Sequence, residues 1–237
     1  KSHPKQMLSL FGDKSLLEMT VDRVSDLVPI ERILIATGRE QAQAVKTLLP
    51  NLPEENLLVE PMGKDTAPAI GYAATVLHQR DASACMAVLS ADHVISPAEK
   101  FRERLALAFN VANDENAVVT IGVRPTFPAT GYGYLHIRLE EAKYEGQKVF
   151  PLLEFKEKPD AKTAKAFVES WAYFWNAGMF ITKAETILLE MKKHTPRLYE
   201  GLSRVKDALG TDGFDSVLTA EFDAFEKISI DFAVMEK

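Results

Sequence analysis

Short apolar runs alternate along this chain with stretches whose apolar residues recur every three or four positions. A short continuous run bounded by turn residues fits a buried strand, and the wider spacing fits a helix with one buried face. Residues 32–37 read as a strand broken by Gly38, and residues 57–60 as a strand ended by Pro61. Residues 86–89 form a third, residues 117–123 a fourth, and the alternating residues 132–137 a fifth. Residues 149–158 and 179–181 complete the strand candidates. Between them, Phe101, Leu105, Ala108, Phe109 and Ala112 lie at helical spacing. Ser96, Pro97 and Glu99 predict the start of that helix, as a capping box with proline at the first helical position. Thr182 and Glu185 predict a second capping box ahead of Ile187, Leu188 and Leu189. Strand–helix alternation of this kind predicts one α/β domain with a largely parallel sheet covered on both faces.

The third run, Met86-Ala87-Val88-Leu89, stops at Ser90-Ala91-Asp92-His93. It delivers a carboxylate to the carboxyl end of a strand, where open α/β sheets bind ligands. Aspartate is rarely buried without a partner, so Asp92 is expected to face a cation, a donor or water in a cleft. Asp231 ends a similar stretch, Ile228-Ser229-Ile230-Asp231. Two carboxylates on strand ends, far apart in sequence, form a plausible clamp for one hard metal ion. The cap of a turn or helix is an equally good use of either residue taken alone.

Composition narrows the partners. The chain has 237 residues, 46% of them hydrophobic, enough for one sizeable core. A formal net charge of -6 and a pI near 5.5 argue against nucleic acid or an anionic membrane as partner, which need clustered Lys and Arg. The single cysteine, Cys85, cannot form an internal disulfide, and a reducing, cytoplasmic setting is expected. No stretch has the uninterrupted apolar length of a membrane helix. Both ends read as cut, with native residues expected before Lys1 and after Lys237. Several chemistries lack their motifs. In place of a Walker A loop, Gly63-Lys64 is followed by Asp65, and Leu58 stands where the first glycine belongs. Gly131-Tyr132-Gly133 lacks the third glycine of a dinucleotide fingerprint, and no Gly-x-Ser-x-Gly elbow occurs. The five histidines show no metal-ligand spacing, and His93 is more simply structural.

Six segments carry a resemblance. They are Glu60-Pro61-Met62-Gly63-Lys64-Asp65-Thr66-Ala67-Pro68-Ala69-Ile70, Val88-Leu89-Ser90-Ala91-Asp92-His93-Val94-Ile95 and Thr130-Gly131-Tyr132-Gly133-Tyr134. Glu154-Phe155-Lys156-Glu157-Lys158-Pro159-Asp160, Trp175-Asn176-Ala177-Gly178-Met179-Phe180 and residues 229–237 follow. In this order they resemble the signatures of mannose-1-phosphate guanylyltransferases, and they span nearly the whole chain. Pro4-Lys5-Gln6 resembles the tail of that family's N-terminal signature, whose glycine-rich phosphate loop is missing here. Where the family usually has Arg-Asn this chain has Lys64-Asp65, and Ser90, Ala129, Ala177 and Phe232 are smaller departures. Asp65 either alters the contact to the base or caps the following helix.

The resemblance implies a Rossmann-like nucleotidyltransferase fold, a mostly parallel, mixed central sheet flanked by helices. Residues 1–237 would be the catalytic domain, without its glycine-rich loop and any C-terminal isomerase or β-helical domain. The implied reaction joins GTP and mannose 1-phosphate to give GDP-mannose and pyrophosphate. Mg²⁺ held by Asp92 and Asp231 would offset the charge of the meeting anions. Lys5 would lie near the phosphates. Glu60 would accept from the adjacent N1–H and N2–H₂ donors of guanine, with Pro61, Asp65, Thr66, Ala67 and Ala91 completing the nucleotide side. Gly131, Tyr132, Glu157, Lys158, Asn176 and Gly178 would form the sugar-phosphate side. A carboxylate suits a vicinal diol, an amide suits hydroxyls, and lysine suits a phosphate. A uridylyl- or thymidylyltransferase of the same superfamily, or a non-catalytic nucleotide-sugar-binding regulatory paralogue, are the alternatives. A homodimer is compatible with each.

Overall fold

Strand β7 (Tyr173–Lys183) is the element around which the sheet assembles in the computed structural model, which describes residues 4–9, 12–142, 144 and 147–237. Ahead of it in the chain come β1 (Ile35–Gly38), β2 (Leu57–Glu60), β3 (Cys85–Val88), β4 (Val119–Val123), β5 (Tyr134–Ile137) and β6 (Leu152–Lys156). The helices are α1 (Leu16–Val24), α2 (Arg39–Leu48), α3 (Thr66–Arg80), α4 (Ala98–Glu115), α5 (Ala161–Ser170), α6 (Ala184–His194), α7 (Pro196–Ala208) and α8 (Phe214–Ala224). Among the described residues no helix is long and apolar enough to cross a membrane.

The expectation of a largely parallel sheet needs correction. Among the described residues only β1 and β2 pair in parallel, with Ile35 opposite Leu57 and Gly38 opposite Glu60. In the five-stranded sheet every pairing among the described residues is antiparallel, in the order β3-β7-β5-β6 with β4 also on β7. The reason lies in the connections. A parallel neighbour needs a crossover of a dozen or more residues, usually a helix. No α-helix stands between β4 and β5 or between β5 and β6. β7 is long enough to meet β3, β4 and β5 in turn.

Both faces of this sheet are covered, as the alternation predicts. Successive residues of β7 point to opposite sides. Phe180 packs with α3, α6, α7 and α8, whereas Met179 and Ile181 pack with Phe101, Leu105, Ala108 and Ala112 of α4. The helical spacing read from α4 is therefore its buried stripe. A third cluster gathers Leu17 of α1, Val45 of α2, Leu49 and Leu57, with Met7, Val59 and Ala91 packed against it.

Neither expected capping box forms. α4 begins after Pro97, which is its N-cap rather than its first helical residue, and no side chain caps it. Thr182 remains in β7, and Lys183 precedes α6 without a side-chain cap. A box does form at α1, where Ser15 Oγ accepts from Glu18 N and Glu18 Oε2 accepts from Ser15 N at 2.8 Å.

Candidate active site

The loop after β2 and the segment before Asp231 are stitched together across some 160 positions. Ala67 N donates to Ile228 O at 3.1 Å, and Ile228 N donates to Lys64 O at 3.2 Å. Ile230 N donates to Thr66 Oγ1 at 2.9 Å, and Lys64 Nζ reaches Asp223 O at 2.8 Å. Ile230 is buried, so it fixes where the next residue starts. Asp231 does not end a strand as expected; it opens a short π-helical segment, Asp231–Met235. Asp65 is the N-cap of α3, its Oδ1 accepting from Thr66 N at 2.8 Å. Its backbone, at φ 72 and ψ -170, lies in a region that favours glycine.

The sugar-side residues meet this stitch. Asn176, on β7, donates its backbone N–H to Gly133 O at 2.8 Å. Its Oδ1 accepts from Thr120 Oγ1 and from Gly178 N, both at 3.1 Å. That fixes the amide, and Nδ2 donates to Asp231 Oδ1 at 3.2 Å. Lys158 N donates to Tyr132 O at 3.2 Å, and its ammonium lies 2.8 Å from Glu157 Oε1. Glu157 raises the lysine's pKa, with smaller help from Asp231 and Asp65. Burial, and then the charge of Glu157, raise the pKa of Asp231. Asp65, Glu157, Lys158, Asn176 and Asp231 thus converge. Gly178 has φ +65, which explains a glycine there, while a Cβ at Gly131 would meet nothing within 4 Å. The glycine that does permit close approach is Gly133, where a Cβ would lie 2.5 Å from Glu157 Oε2. Tyr132 is exposed and packs edge-on against Trp175, whose buried indole N–H has no partner among the described residues.

Lys5, Glu60 and Asp92 stand apart from that convergence. Each adjoins a residue of the third apolar cluster: Lys5 lies two before Met7, Glu60 follows Val59, and Asp92 follows Ala91. Lys5 is exposed, in a short 3₁₀ turn that starts after Pro4. Glu60 closes β2 ahead of Pro61, and burial raises its pKa to about 7. Asp92 lies in a turn beyond β3, its carboxylate half exposed and 3.9 Å from His93 Nε2, too far for a hydrogen bond. The turn is held from α1, where Arg23 Nη2 donates to His93 O at 2.7 Å. Sequence reasoning missed Arg23 and the constraint at Gly133. The loop after β2 runs from Glu60 to Asp65 and Thr66, and so links Glu60 to the convergence at Asp65.

Asp92 and Asp231 carry anionic oxygens, the donor type that a hard divalent cation takes. A cation beside Asp231 would offset the burial and the neighbouring charge that hold its pKa up. Among the described residues no three His, Cys, Asp or Glu side chains surround one point. The remaining ligands would be water and substrate oxygens, the usual arrangement for Mg²⁺.

Residues 1–212 match the family model described as Nucleotidyl transferase. The chain is 35% identical to the mannose-1-phosphate guanylyltransferase of Escherichia coli (strain K12), over 99% of this chain and 50% of that protein. It is 35% identical to the alginate biosynthesis protein AlgA of Pseudomonas aeruginosa, over 100% of this chain and 49% of that one. The chain therefore spans about half the length of these curated relatives. A solved structure from Thermus thermophilus, described as a mannose-1-phosphate geranyltransferase, superposes with a TM-score of 0.86 at 35% identity, over 100% of this chain and 65% of that one.

Proposed function

This chain belongs to the nucleotidyl transferase family, and from that premise we propose that it forms GDP-mannose and pyrophosphate from GTP and mannose 1-phosphate. The relatives named for mannose-1-phosphate guanylyl transfer support the substrates. The Asn176–Asp231 hydrogen bond carries the reading. It ties a residue suited to sugar hydroxyls to a carboxylate suited to a phosphate-bound cation, at the N-terminus of a helix whose dipole favours anions.

In this reading a phosphate oxygen of mannose 1-phosphate attacks the α-phosphorus of GTP, and pyrophosphate leaves in line. Glu60 accepts from the guanine N1–H and N2–H₂ donors, whereas the carbonyl oxygens beside the N–H of uracil or thymine would repel it. Glu157 holds a sugar diol, and Lys158 moves from Glu157 to the sugar phosphate as a point charge. Lys5 offsets charge as the two anions meet. Mg²⁺, held by Asp92 and Asp231, would supply charge neutralisation and Lewis-acid stabilisation of the transferring phosphoryl group. No covalent intermediate is needed; catalysis rests on positioning and electrostatics. The one cysteine, unpaired, accords with a cytoplasmic enzyme.

Pyrophosphate release by the purified full-length protein, with the glycine-rich loop present, tests this reading. GTP with mannose 1-phosphate should give product only with Mg²⁺ present. Asp92→Asn and Asp231→Asn should each abolish turnover while leaving the thermal melt nearly unchanged. Equal turnover of UTP or dTTP would overturn the assignment of Glu60, and full activity of both aspartate variants would overturn the metal site.

A further inference from the structure

Arg23 is a buried charge that the proposed reaction does not use. It sits in the last turn of α1 with only 5% of its surface exposed. Among the described residues no carboxylate pairs with it. Its guanidinium lies over the Phe101 ring, 5.8 Å from the centroid, and its own carbonyl accepts from Arg102 Nη1 at 3.2 Å. Desolvation lowers its pKa. A buried charge without a counter-ion is costly, and an apolar side chain of similar length would fill the space without that cost. Besides that ring contact, the guanidinium gains one hydrogen bond 70 positions away, 2.7 Å to the carbonyl of His93.

That carbonyl belongs to the residue after Asp92. Packing fixes the flanks of the turn: Leu89 and Ile95 pack with α4 and β7, and Ala91 packs with α1 and α2. Asp92 and His93 lie between these anchors. Their side chains are 3.9 Å apart, so they do not lock each other. Pulling on the His93 carbonyl sets the plane of the peptide it belongs to and limits where the preceding carboxylate can point.

We propose that Arg23 is a positioning residue that aims the Asp92 carboxylate by holding the His93 carbonyl. The inference rests on the reading of Asp92 as a cation-holding group. It predicts that Arg23 contributes to metal affinity without touching metal or substrate. Arg23→Met keeps a long apolar stem over Phe101 and removes the donors; Arg23→Lys restores one donor.

The test is Mn²⁺ titrated into the purified protein, followed by electron paramagnetic resonance, with amide hydrogen exchange at residues 91–94. Arg23→Met should weaken Mn²⁺ binding by about 10–100-fold, the usual effect of losing a group that orients a ligand. Exchange at the turn should quicken, and Arg23→Lys should recover part of both losses. Mn²⁺ affinity within about twofold of the parent in a folded Arg23→Met protein would overturn the proposal. Should Arg23→Met fail to fold, Arg23→Gln decides on the same criterion. Asp92→Asn separates the two readings. If it loses Mn²⁺ while Arg23→Met keeps it, Arg23 alone is misassigned. If Asp92→Asn keeps Mn²⁺, the metal role of Asp92 fails and this inference with it.

Discussion

Binding of GTP should depend on pH through Glu60. Its carboxyl sits at the end of β2 with a pKa of about 7, raised from 4.5 by burial alone. A guanine edge presents donors, so only the ionised form accepts both. With a pKa of about 7, roughly 9% of Glu60 is ionised at pH 6 and about 91% at pH 8. The kcat/KM for GTP should therefore rise about tenfold between these values. The triphosphate titrates in the same range, so the informative quantity is wild type divided by Glu60→Gln at each pH. That ratio removes the nucleotide's own ionisation. Glu60→Gln should lose about 1.5–3 kcal/mol of GTP binding at pH 8, the worth of hydrogen bonds to a charged group. It should lose much less at pH 6, where the wild type is mostly protonated. Stability should run the other way. Folded Glu60 holds a proton that the unfolded chain releases, so its contribution to stability is fully present below pH 4.5 and is lost as pH rises through 7. The full shift corresponds to about 3 kcal/mol, and solvent access reduces it to about half. A ratio that stays flat from pH 6 to 8 would refute the role given to Glu60.

Two glycines offer further tests. Gly133→Ala would place a Cβ 2.5 Å from Glu157 Oε2 and 3.1 Å from Phe155 Cζ. With Glu157 largely buried, the displacement should raise KM for mannose 1-phosphate several-fold and leave KM for GTP nearly unchanged in steady-state assays. Gly71→Ala, in α3, would put a Cβ 2.5 Å from Leu202 Cδ1 and 3.1 Å from Met191 Sδ. Overpacking of about 1–3 kcal/mol should outweigh the gain of up to about 1 kcal/mol in helix propensity, seen as a lower denaturation midpoint with an unchanged m-value.

What the sequence makes legible is local. β2 is readable to the residue because the apolar run Leu57-Leu58-Val59 is followed by Glu60 and closed by Pro61. β7 is readable only as residues 179–181 because Asn176 and Gly178 interrupt its apolar pattern, although the ladder continues to Tyr173. Capping boxes show how partners decide between equal signals. Ser15-Leu16-Leu17-Glu18, Ser96-Pro97-Ala98-Glu99 and Thr182-Lys183-Ala184-Glu185 share one spacing. Only the first forms. Thr182 is held in β7 opposite Met86, and a residue committed to a ladder cannot also turn its side chain to cap.

The site is legible as residue types and hidden as connections. A carboxylate after an apolar run marks itself, whereas a carbonyl accepting from an arginine 70 positions earlier leaves no mark. Asp65 shows both sides. Its role as a cap can be read from its chemistry, and the structure gives it that role. Its backbone cannot be read, because a non-glycine residue at φ 72 and ψ -170 costs about 1–3 kcal/mol and persists only where its surroundings over-determine it. Those surroundings are Ile228, bonded to Lys64 on one side, and Ile230, bonded to Thr66 on the other. The same two bonds bring Asp231 to the N-terminus of α3, where Asn176 meets it. The strain at Asp65 and the placement of Asp231 therefore have one cause. A charge at position 65 is tolerated because the residue is exposed, its Oδ1 accepts from Thr66 N, and Lys158 interacts electrostatically with it as with Asp231.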